Sequence, residues 1–312
     1  DKLPTLVPKR PICVLGAAVI DQVMTVPMLP TRGADIEASD RQIVVGGCGL
    51  NITSALYRLG FCSTNAFLIG NGMGNNRIIE FLHERGIESH LPQIDGDNSW
   101  CLAFVEPDGE RSFVTVTGVE NNWTPDILRQ IDIQEDSLIF LSGYQLVPSA
   151  DEVVVSWLES LDQNVEIIID LGPRIGDVSP VIVNRLLALN SIVTLNRDEA
   201  RFIGIDDPLE KSTATWSEQH DCTVIVRLDK DGAYYYRSNI DAGWVEPYAA
   251  SAVDTIGAGD SHAAGLIAGL SSNWCLVDSI SLGNAVASYV VERPGGDCAP
   301  GLPELRQHLS MR

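Results

Sequence analysis

The stretch Val253-Asp-Thr-Ile-Gly-Ala-Gly-Asp260 places two glycines and an acid directly before a helical pattern that starts at about Ala258. The glycines permit a tight turn, and the free N–H groups of the following helix start favour an anion. The helix dipole favours an ionised Asp260, whose carboxylate can then accept a proton from a hydroxyl. A single acid here would indicate an N-cap, but phosphoryl transfer needs both a phosphate cradle and a base. The stretch therefore predicts Asp260 as the catalytic base, with Gly257, Ala258 and Gly259 as the anion hole.

Upstream of this stretch, apolar β-branched segments alternate with helical patterns. Buried strands are predicted at 12–15, 66–69, 138–141, 165–170, 192–195 and 223–228. Helices are predicted at 50–59, 75–85, 149–161, 180–189 and 197–204. This succession is typical of an α/β fold with a mostly parallel sheet covered by helices.

Two segments, 22–46 and 98–118, interrupt the alternation because they are extended and rich in turn residues. We interpret them as lid segments over a binding site, although surface hairpins without a function fit the same pattern. Small residues dominate 257–269 and 283–287, which predicts two close-packed helices. No internal repeat or low-complexity linker divides the sequence, so we expect one domain over residues 1–312.

The stretch 253–260 resembles the C-terminal signature of the ribokinase-like (PfkB) carbohydrate and nucleoside kinases. The stretch Gly46-Gly-Cys-Gly-Leu-Asn51-Ile-Thr-Ser-Ala-Leu-Tyr-Arg-Leu-Gly60 resembles the N-terminal signature of the same family, and the likeness covers nearly the whole chain. As a whole, the sequence is similar to the bacterial YegV-type sugar kinases. The resemblance implies a three-layer α/β/α fold with a small β lid. It also implies ATP-dependent phosphorylation of a hydroxyl on a small sugar or sugar derivative.

The family signatures imply roles for further residues, and the chemistry of most of these residues agrees. Asp21 follows the first predicted strand, at the edge where open α/β sheets bind ligands, and Asn51 can donate to and accept from hydroxyls. The substrate-binding residues implied are Asp21, Gly46, Gly47 and Asn51. Asn196 is implied at the phosphates, Asn284 near the adenine, and Glu199 at Mg²⁺ through water. A monovalent cation such as K⁺ is implied at Asp254, Ile256 and Gly296.

The sequence departs from the family at Arg227-Leu-Asp229-Lys-Asp-Gly232, where many members have Thr-x-Gly-x-x-Gly. The resemblance places Arg227, Asp229 and Gly232 at the nucleotide, but an acid replaces the first glycine. Arg227 either binds phosphate with its fork of donors or pairs with neighbouring acids. A second departure, Gly70-Asn-Gly-Met-Gly-Asn-Asn76, does not fit the dinucleotide pattern Gly-x-Gly-x-x-Gly, which argues against an oxidoreductase.

The substrate is expected to face the segments 98–118 and 143–174, and each candidate there has packing or ion pairing as its alternative role. These candidates are Trp100, Arg111, Tyr144, Gln145 and Arg174. Arg174 resembles an arginine of relatives that phosphorylate keto-deoxy sugar acids, and its fork suits a carboxylate. A nucleoside kinase remains an alternative, with Trp100 as a base-stacking residue. A nucleotide-binding sensor without catalysis is disfavoured by Asp260.

Composition restricts the partners of the protein. The net charge of −21, from 21 basic and 42 acidic residues, disfavours nucleic acid and anionic membranes. No apolar run approaches the ~20 residues of a membrane-spanning helix. Seven scattered cysteines without a Cys-x-x-Cys motif favour reduced thiols and a cytoplasmic location. The partner expected is a small sugar-like molecule, and the family also implies a homodimer through the lid.

Overall fold

The computed structural model describes residues 2–108, 110–162 and 164–311, without the side chains of Met73 and Arg111. The strands are β1 (Ile12–Gly16), β2 (Val19–Thr25), β3 (Asp40–Gly46), β4 (Thr64–Phe67), β5 (Trp100–Val105), β6 (Arg111–Val116), β7 (Leu138–Ser142), β8 (Glu166–Asp170), β9 (Ser191–Asn196), β10 (Thr223–Arg227), β11 (Ala233–Arg237) and β12 (Asp241–Val245). The helices are α1 (Cys48–Arg58), α2 (Asn76–Glu84), α3 (Pro125–Leu128), α4 (Asp151–Glu159), α5 (Pro180–Leu187), α6 (Arg197–Phe202), α7 (Leu209–His220), α8 (Ala258–Ser271), α9 (Leu276–Val290) and α10 (Leu302–Ser310).

The main sheet has the strand order β12-β11-β10-β9-β8-β7-β1-β4. From β10 to β4 all neighbours are parallel, and β11 and β12 form an antiparallel extension at one edge. The carboxyl ends of the parallel strands therefore meet at one edge of the sheet. The prediction of a mostly parallel sheet is confirmed, and this edge is where open α/β sheets bind ligands.

Side chains of the buried strands alternate between two apolar cores, one on each face of the sheet. Val14 and Phe140 belong to the core that includes residues of α1, α8 and α9. Leu15 and Leu141 belong to the core that includes residues of α4 and α5. The alternation follows from the period of two along a strand. The predicted arrangement of three layers, helices on both faces of the sheet, is confirmed.

The lid is a separate sheet of order β3-β2-β5-β6, so the β character predicted for 22–46 and 98–118 is confirmed. Its base is held by Asn98, which is 2% exposed. Asn98 Nδ2 donates to the carbonyls of Ala18 (3.1 Å) and Leu68 (2.8 Å), and its Oδ1 accepts from Gly70 N (2.8 Å). These contacts join the lid to the ends of β1 and β4.

Several predicted elements differ from the structure. The strand predicted at 66–69 runs over Thr64–Phe67, because its partner β1 ends at Gly16, opposite Phe67. Helix α7 was not predicted because its buried positions, Thr213 and Ser217, are polar and give no apolar period.

The two close-packed helices are confirmed as α8 and α9, where a Cβ added at Gly265 would lie 2.7 Å from Cα of Gly283. In the described ranges no helix combines the length and apolarity needed to span a membrane.

Candidate active site

The start of α8 lies at the carboxyl edge of the main sheet. Gly257 is its N-cap residue, with φ +75°, a left-handed conformation that side chains disfavour. A Cβ added at Gly257 would lie 2.6 Å from Cα of Gly296, so the turn also lacks space for a side chain. The predicted anion hole of Gly257, Ala258 and Gly259 is only partly free, because Ala258 N donates to the carbonyl of Thr255 at 3.2 Å. Among the described residues, the N–H groups of Gly257 and Gly259 have no backbone acceptor and are the donors available to an anion.

Asp260 lies in the first turn of α8 and faces the start of α1. Asn51 Nδ2 donates to Asp260 Oδ2 at 2.7 Å, which joins two predicted site residues that are 209 positions apart. Burial raises the pKa of Asp260 to about 6; the hydrogen bonds from Asn51 and Cys48 and the charge of Arg227 oppose this rise, and the charge of Asp170 adds to it. Asp260 is therefore a carboxylate that is ionised at neutral pH and still basic enough to accept a proton.

The N-terminal signature stretch, residues 46–60, lies opposite the start of α8. Gly47 is the N-cap of α1 with φ +117°, and a Cβ there would collide with the carbonyl of Ala17. A Cβ added at Gly46 would lie 3.7 Å from Asp21 Oδ2, so the carboxylate of Asp21 passes close to this backbone. Asp21 lies within lid strand β2, and burial raises its pKa. Because Gly46 and Gly47 have no side chains, their backbone is accessible to a ligand beside the carboxylate of Asp21.

Asn196 and Glu199 form a reciprocal cap at the start of α6. Asn196 Oδ1 accepts from Glu199 N (2.8 Å), Glu199 Oε2 accepts from Asn196 N (2.8 Å), and Asn196 Nδ2 donates to Glu199 Oε1 (2.7 Å). Glu199 is 7% exposed, and burial raises its pKa. Asn196 and Glu199 therefore cap the start of α6. Each carboxylate oxygen keeps a second lone pair, so the cap is compatible with a contact to hydrated Mg²⁺.

Arg227, at the end of β10, pairs with acids that are distant in the sequence. Its Nη1 donates to Asp170 Oδ2 (2.8 Å) and to Thr194 Oγ1 (3.0 Å), and its Nη2 lies 3.6 Å from Glu199 Oε2. The same guanidinium borders the anion hole, because a Cβ added at Gly259 would lie 3.6 Å from Nη2. Ion pairing and proximity to the predicted anion hole are thus both present.

The departure at Asp229 has a conformational explanation. Asp229 adopts φ +54°, in the left-handed region where a glycine is the usual residue and where aspartate is tolerated. The acid at this position is therefore compatible with a backbone conformation that glycine usually supplies. Gly232, with φ +83°, closes the turn, and its backbone carbonyl accepts from Leu228 N at 2.8 Å.

Asn284, the residue implied near the adenine, lies on α9, and its Nδ2 donates to the carbonyl of Glu246 at 3.0 Å.

The residues implied for a monovalent cation lie together. Asp254 Oδ1 accepts from Ile256 N (2.9 Å), and Asp254 Oδ2 accepts from Gly295 N (2.9 Å). A Cβ added at Gly296 would lie 3.3 Å from Ile256 Cγ2. The carboxylate of Asp254 thereby ties the loop before α8 to the loop of Gly295 and Gly296. Carbonyl oxygens of such loops are the donors that a monovalent cation would use.

The substrate candidates divide into two groups. Tyr144 and Arg174 lie on adjacent turns, with Arg174 Cζ 5.5 Å from the ring centroid of Tyr144, and Arg174 also pairs with Asp177 at 2.9 Å. Gln145 is 1% exposed and accepts from Ser142 Oγ, which makes its role structural. Trp100 pairs with Ile20 in the lid sheet, so it points to the opposite face from Asp21 and packs against the core. The side chain of Arg111 lies outside the described part of the chain.

Two site residues were missed by the sequence analysis. Cys48, the first residue of α1, donates a hydrogen bond to Asp260, and burial raises the pKa of its thiol well above the usual range. Nothing in its sequence context distinguishes it from a small residue of the signature. Asp170 is the last residue of β8, and its place at the carboxyl end of a buried strand was an available signal.

Comparisons with known proteins agree with this geometry. The sequence matches the profile of the pfkB family carbohydrate kinases over residues 9–302. It is 45% identical over 307 residues to the "Uncharacterized sugar kinase YegV" of Escherichia coli (strain K12), covering 97% of this chain and 95% of that protein. Arabidopsis thaliana ribokinase complexed with ribose and ATP has the same fold, with a TM-score of 0.81 at 21% identity, covering 96% of this chain and 99% of that one. Phosphofructokinase-2 from Escherichia coli in complex with potassium has a TM-score of 0.75 at 18% identity, covering 97% and 99%.

The profile match and the 45% identity both extend over most of the chain. This chain therefore belongs to the pfkB family of carbohydrate kinases, which are phosphotransferases with a hydroxyl as acceptor.

Proposed function

We propose that this protein transfers the γ-phosphoryl group of ATP to a hydroxyl of a small sugar or sugar derivative. The observation that carries the proposal is the meeting of two helix starts. The start of α8 combines the anion hole with Asp260, and Asn51 of α1 donates to that carboxylate at 2.7 Å. A phosphate group and an acceptor hydroxyl bound on either side of Asp260 would be in the arrangement that phosphoryl transfer needs.

In the proposed reaction Asp260 accepts the proton of the acceptor hydroxyl as its oxygen bonds to the γ-phosphorus. The bond between that phosphorus and the bridging oxygen breaks, and ADP leaves. The N–H groups around Gly257–Gly259 stabilise the charge of the phosphoryl oxygens. Asp21 and Asn51 orient the acceptor, and the lid sheet excludes water, which limits hydrolysis of ATP. The sheets and helices would act together as one kinase domain over residues 1–312.

On the nucleotide side we assign Asn196, Arg227, Asp229 and Gly232 to phosphate and ribose, and Asn284 to the adenine. Mg²⁺ would be held through water by Glu199, whose oxygens keep free lone pairs beside the cap, and it would neutralise phosphate charge. A monovalent cation such as K⁺ would be held by carbonyl oxygens of Ile256 and Gly296 with Asp254. The junction of these two loops supports that assignment, because Asp254 already binds both of them.

For the acceptor we propose contacts from Tyr144 and Arg174 in addition to Asp21 and Asn51. The partly exposed guanidinium of Arg174 beside the Tyr144 ring suits a substrate with a carboxylate, such as a sugar acid. The nucleoside alternative is less favoured, since Trp100 is partly buried and packs against the core. A neutral sugar would leave Arg174 paired with Asp177.

The proposed function is tested by ADP release from ATP with a panel of hexoses, pentoses, sugar acids and nucleosides. We expect turnover with a sugar or sugar acid and background rates with adenosine, inosine and pseudouridine. Turnover with nucleosides alone would favour the nucleoside alternative. ATP binding without phosphorylation of any alcohol in the panel would favour a nucleotide sensor and contradict the proposal.

The pH dependence of kcat/KM for the acceptor should report the ionisation of Asp260. The base must be deprotonated, and burial raises its pKa to about 6, so activity should begin to fall near that pH as the solution is acidified. Below it, kcat/KM should decrease about tenfold per pH unit, as expected for the loss of one base. Circular dichroism at each pH serves as the control for folding. If the acidic limb of the profile, the fall of kcat/KM at low pH, were centred near the ordinary pKa of aspartate, this assignment would be contradicted.

We further propose that two copies associate through the lid. The lid strands expose apolar side chains, among them Phe113, which is 61% exposed, and Val114. Such apolar area is typical of contact surfaces. Sedimentation velocity should show a dimer for the wild type and a monomer for Phe113→Asp. Phe202→Asp, which changes an equally exposed phenylalanine outside the lid, should remain dimeric. A wild type that sediments as a monomer at all concentrations would contradict the proposal.

A further inference from the structure

The carboxylate of Asp170 contacts both sides of the site. Its Oδ2 accepts from Arg227 Nη1 at 2.8 Å, and its Oδ1 accepts from the backbone N–H of Gly172 at 3.0 Å. The first contact lies on the side of the anion hole, and the second begins the turn that carries Arg174. The side chains of Asp170 and Arg227 are each only 14% exposed, so this pair is poorly screened by solvent.

On the phosphate side, Asp170 determines where Arg227 points. The Nη1 atom is occupied by Asp170 and Thr194, and the guanidinium lies beside Gly259, where an added Cβ would be 3.6 Å from Nη2 and 3.8 Å from Cζ and Nη1. A guanidinium is planar, so fixing one nitrogen restricts the direction of the other donors. The cation is thereby held at the helix start where the transferred phosphoryl group would lie, in a site otherwise rich in carboxylates.

On the acceptor side, Asp170 stabilises a turn that contains a left-handed glycine. Gly172 has φ +56°, and its N–H is bound by Asp170 Oδ1. The turn packs against the neighbouring turn so closely that a Cβ at Gly143 would collide with the carbonyl of Leu171. Tyr144 follows Gly143 directly, so the conformation of the first turn also affects the placement of the second.

We propose that Asp170 is a positioning residue for phosphoryl transfer, which holds Arg227 against the anion hole with one oxygen and the Gly172 turn against the acceptor with the other. The inference rests on the proposed function. It also has an electrostatic consequence for Asp260, which is faced by Asn51 and Cys48 from α1, by Asp170 from β8 and by Arg227 from β10. The negative charge of Asp170 raises the pKa of Asp260 and that of Glu199.

The test compares Asp170→Asn with Thr194→Val. The first variant keeps the size of the side chain and an oxygen acceptor but removes the charge, whereas the second removes the other Nη1 partner and changes no charge. For Asp170→Asn we expect kcat to fall about 10- to 100-fold. The acidic limb of kcat/KM should move to lower pH, because Asp260 loses a neighbouring negative charge. Thr194→Val should leave the limb in place.

Nucleotide affinity provides a second test that does not depend on turnover, and it adds the variant Arg227→Met. Fluorescence titration should show that Asp170→Asn and Arg227→Met each weaken a non-hydrolysable ATP analogue at least tenfold more than they weaken ADP. The double variant Asp170→Asn/Arg227→Met, which removes the pair together, should be no weaker than Arg227→Met alone, because Asp170 acts there through Arg227.

A lowered thermal midpoint with wild-type kcat, an unmoved acidic limb and equal loss of ADP and analogue would assign Asp170 a structural role only and overturn the inference. If the wild type phosphorylates no alcohol, the proposed function fails. In that case the ratio of analogue to ADP affinity still decides whether Asp170 positions Arg227 at the phosphate site.

Discussion

Asp260→Asn is expected to lower kcat about 10²- to 10⁴-fold with little change in ATP affinity, because an amide cannot accept the hydroxyl proton. The substitution preserves the shape of the group and leaves an oxygen to accept from Asn51 Nδ2, which lies 2.7 Å from the native carboxylate. The anion hole should remain intact, since its backbone N–H groups do not depend on this side chain. Steady-state kinetics on a verified acceptor, with ATP titrated separately, measures both quantities.

Two controls separate catalysis from folding. The thermal midpoint of Asp260→Asn at pH 8 should equal or exceed that of the wild type. The reason is that burial, which raises the pKa of Asp260 to about 6, disfavours the ionised form in the folded state. Asp278→Asn makes the same change in the first turn of α9 and should keep kcat within about twofold, because surface changes are usually small. Wild-type turnover in Asp260→Asn would show that another group is the base.

Gly257→Ala should lower kcat/KM for ATP about 10²-fold or more, the effect expected when an oxyanion-stabilising donor is lost. The added methyl group would lie 2.6 Å from Cα of Gly296, and no side-chain rotation can relieve this contact, because a Cβ is fixed by its own backbone and Cα is a backbone atom. The turn must open, which would misplace the N–H groups at the start of α8. Because Gly257 has φ +75°, the alanine also adds about 1 kcal/mol of backbone strain.

Gly295→Ala is the matched control for Gly257→Ala, because it introduces the same strain without the collision. Gly295 has a similar φ of +83°, but apart from its chain neighbours no described residue has an atom within 4 Å of an added Cβ. The two variants therefore share the cost of the left-handed conformation and differ in the collision. We expect Gly295→Ala to lose stability by about 1 kcal/mol and to keep kcat/KM within a few-fold. Equal losses of kcat/KM in the two variants would mean that strain, not the position of the N–H groups, explains the effect.

Much of the fold could be predicted because strands buried on both faces carry a strong local signal. β7 and β8 were placed within one or two residues by their apolar, β-branched composition. The signal failed where a buried face is polar, as at Thr213 and Ser217 of α7. It also failed at the end of β4, whose bounds depend on the length of its neighbour β1. Both failures concern contacts that a single segment does not encode.

The lid shows the same division. Turn residues and alternation were enough to predict β structure in 22–46 and 98–118, because hairpin signals are local. The direction of individual side chains depended on strand register. Trp100 lies opposite Ile20 and not opposite Asp21, so its side chain lies on the other face of the lid sheet from Asp21, a placement that a shift of one residue would reverse.

The sequence by itself determined the chemistry of the 253–260 stretch, because a glycine turn, a helix start and an acid in the first helical turn are local properties of the chain. The signature at the other end likewise singled out Asn51, whose Nδ2 lies 2.7 Å from Asp260 Oδ2. Only the tertiary structure decided which charged groups meet. Arg227 reaches Asp170, 57 residues away, across the strand of Thr194, because β8, β9 and β10 are neighbours in the sheet. Strand order is a long-range property, and neither residue indicates its partner in the sequence.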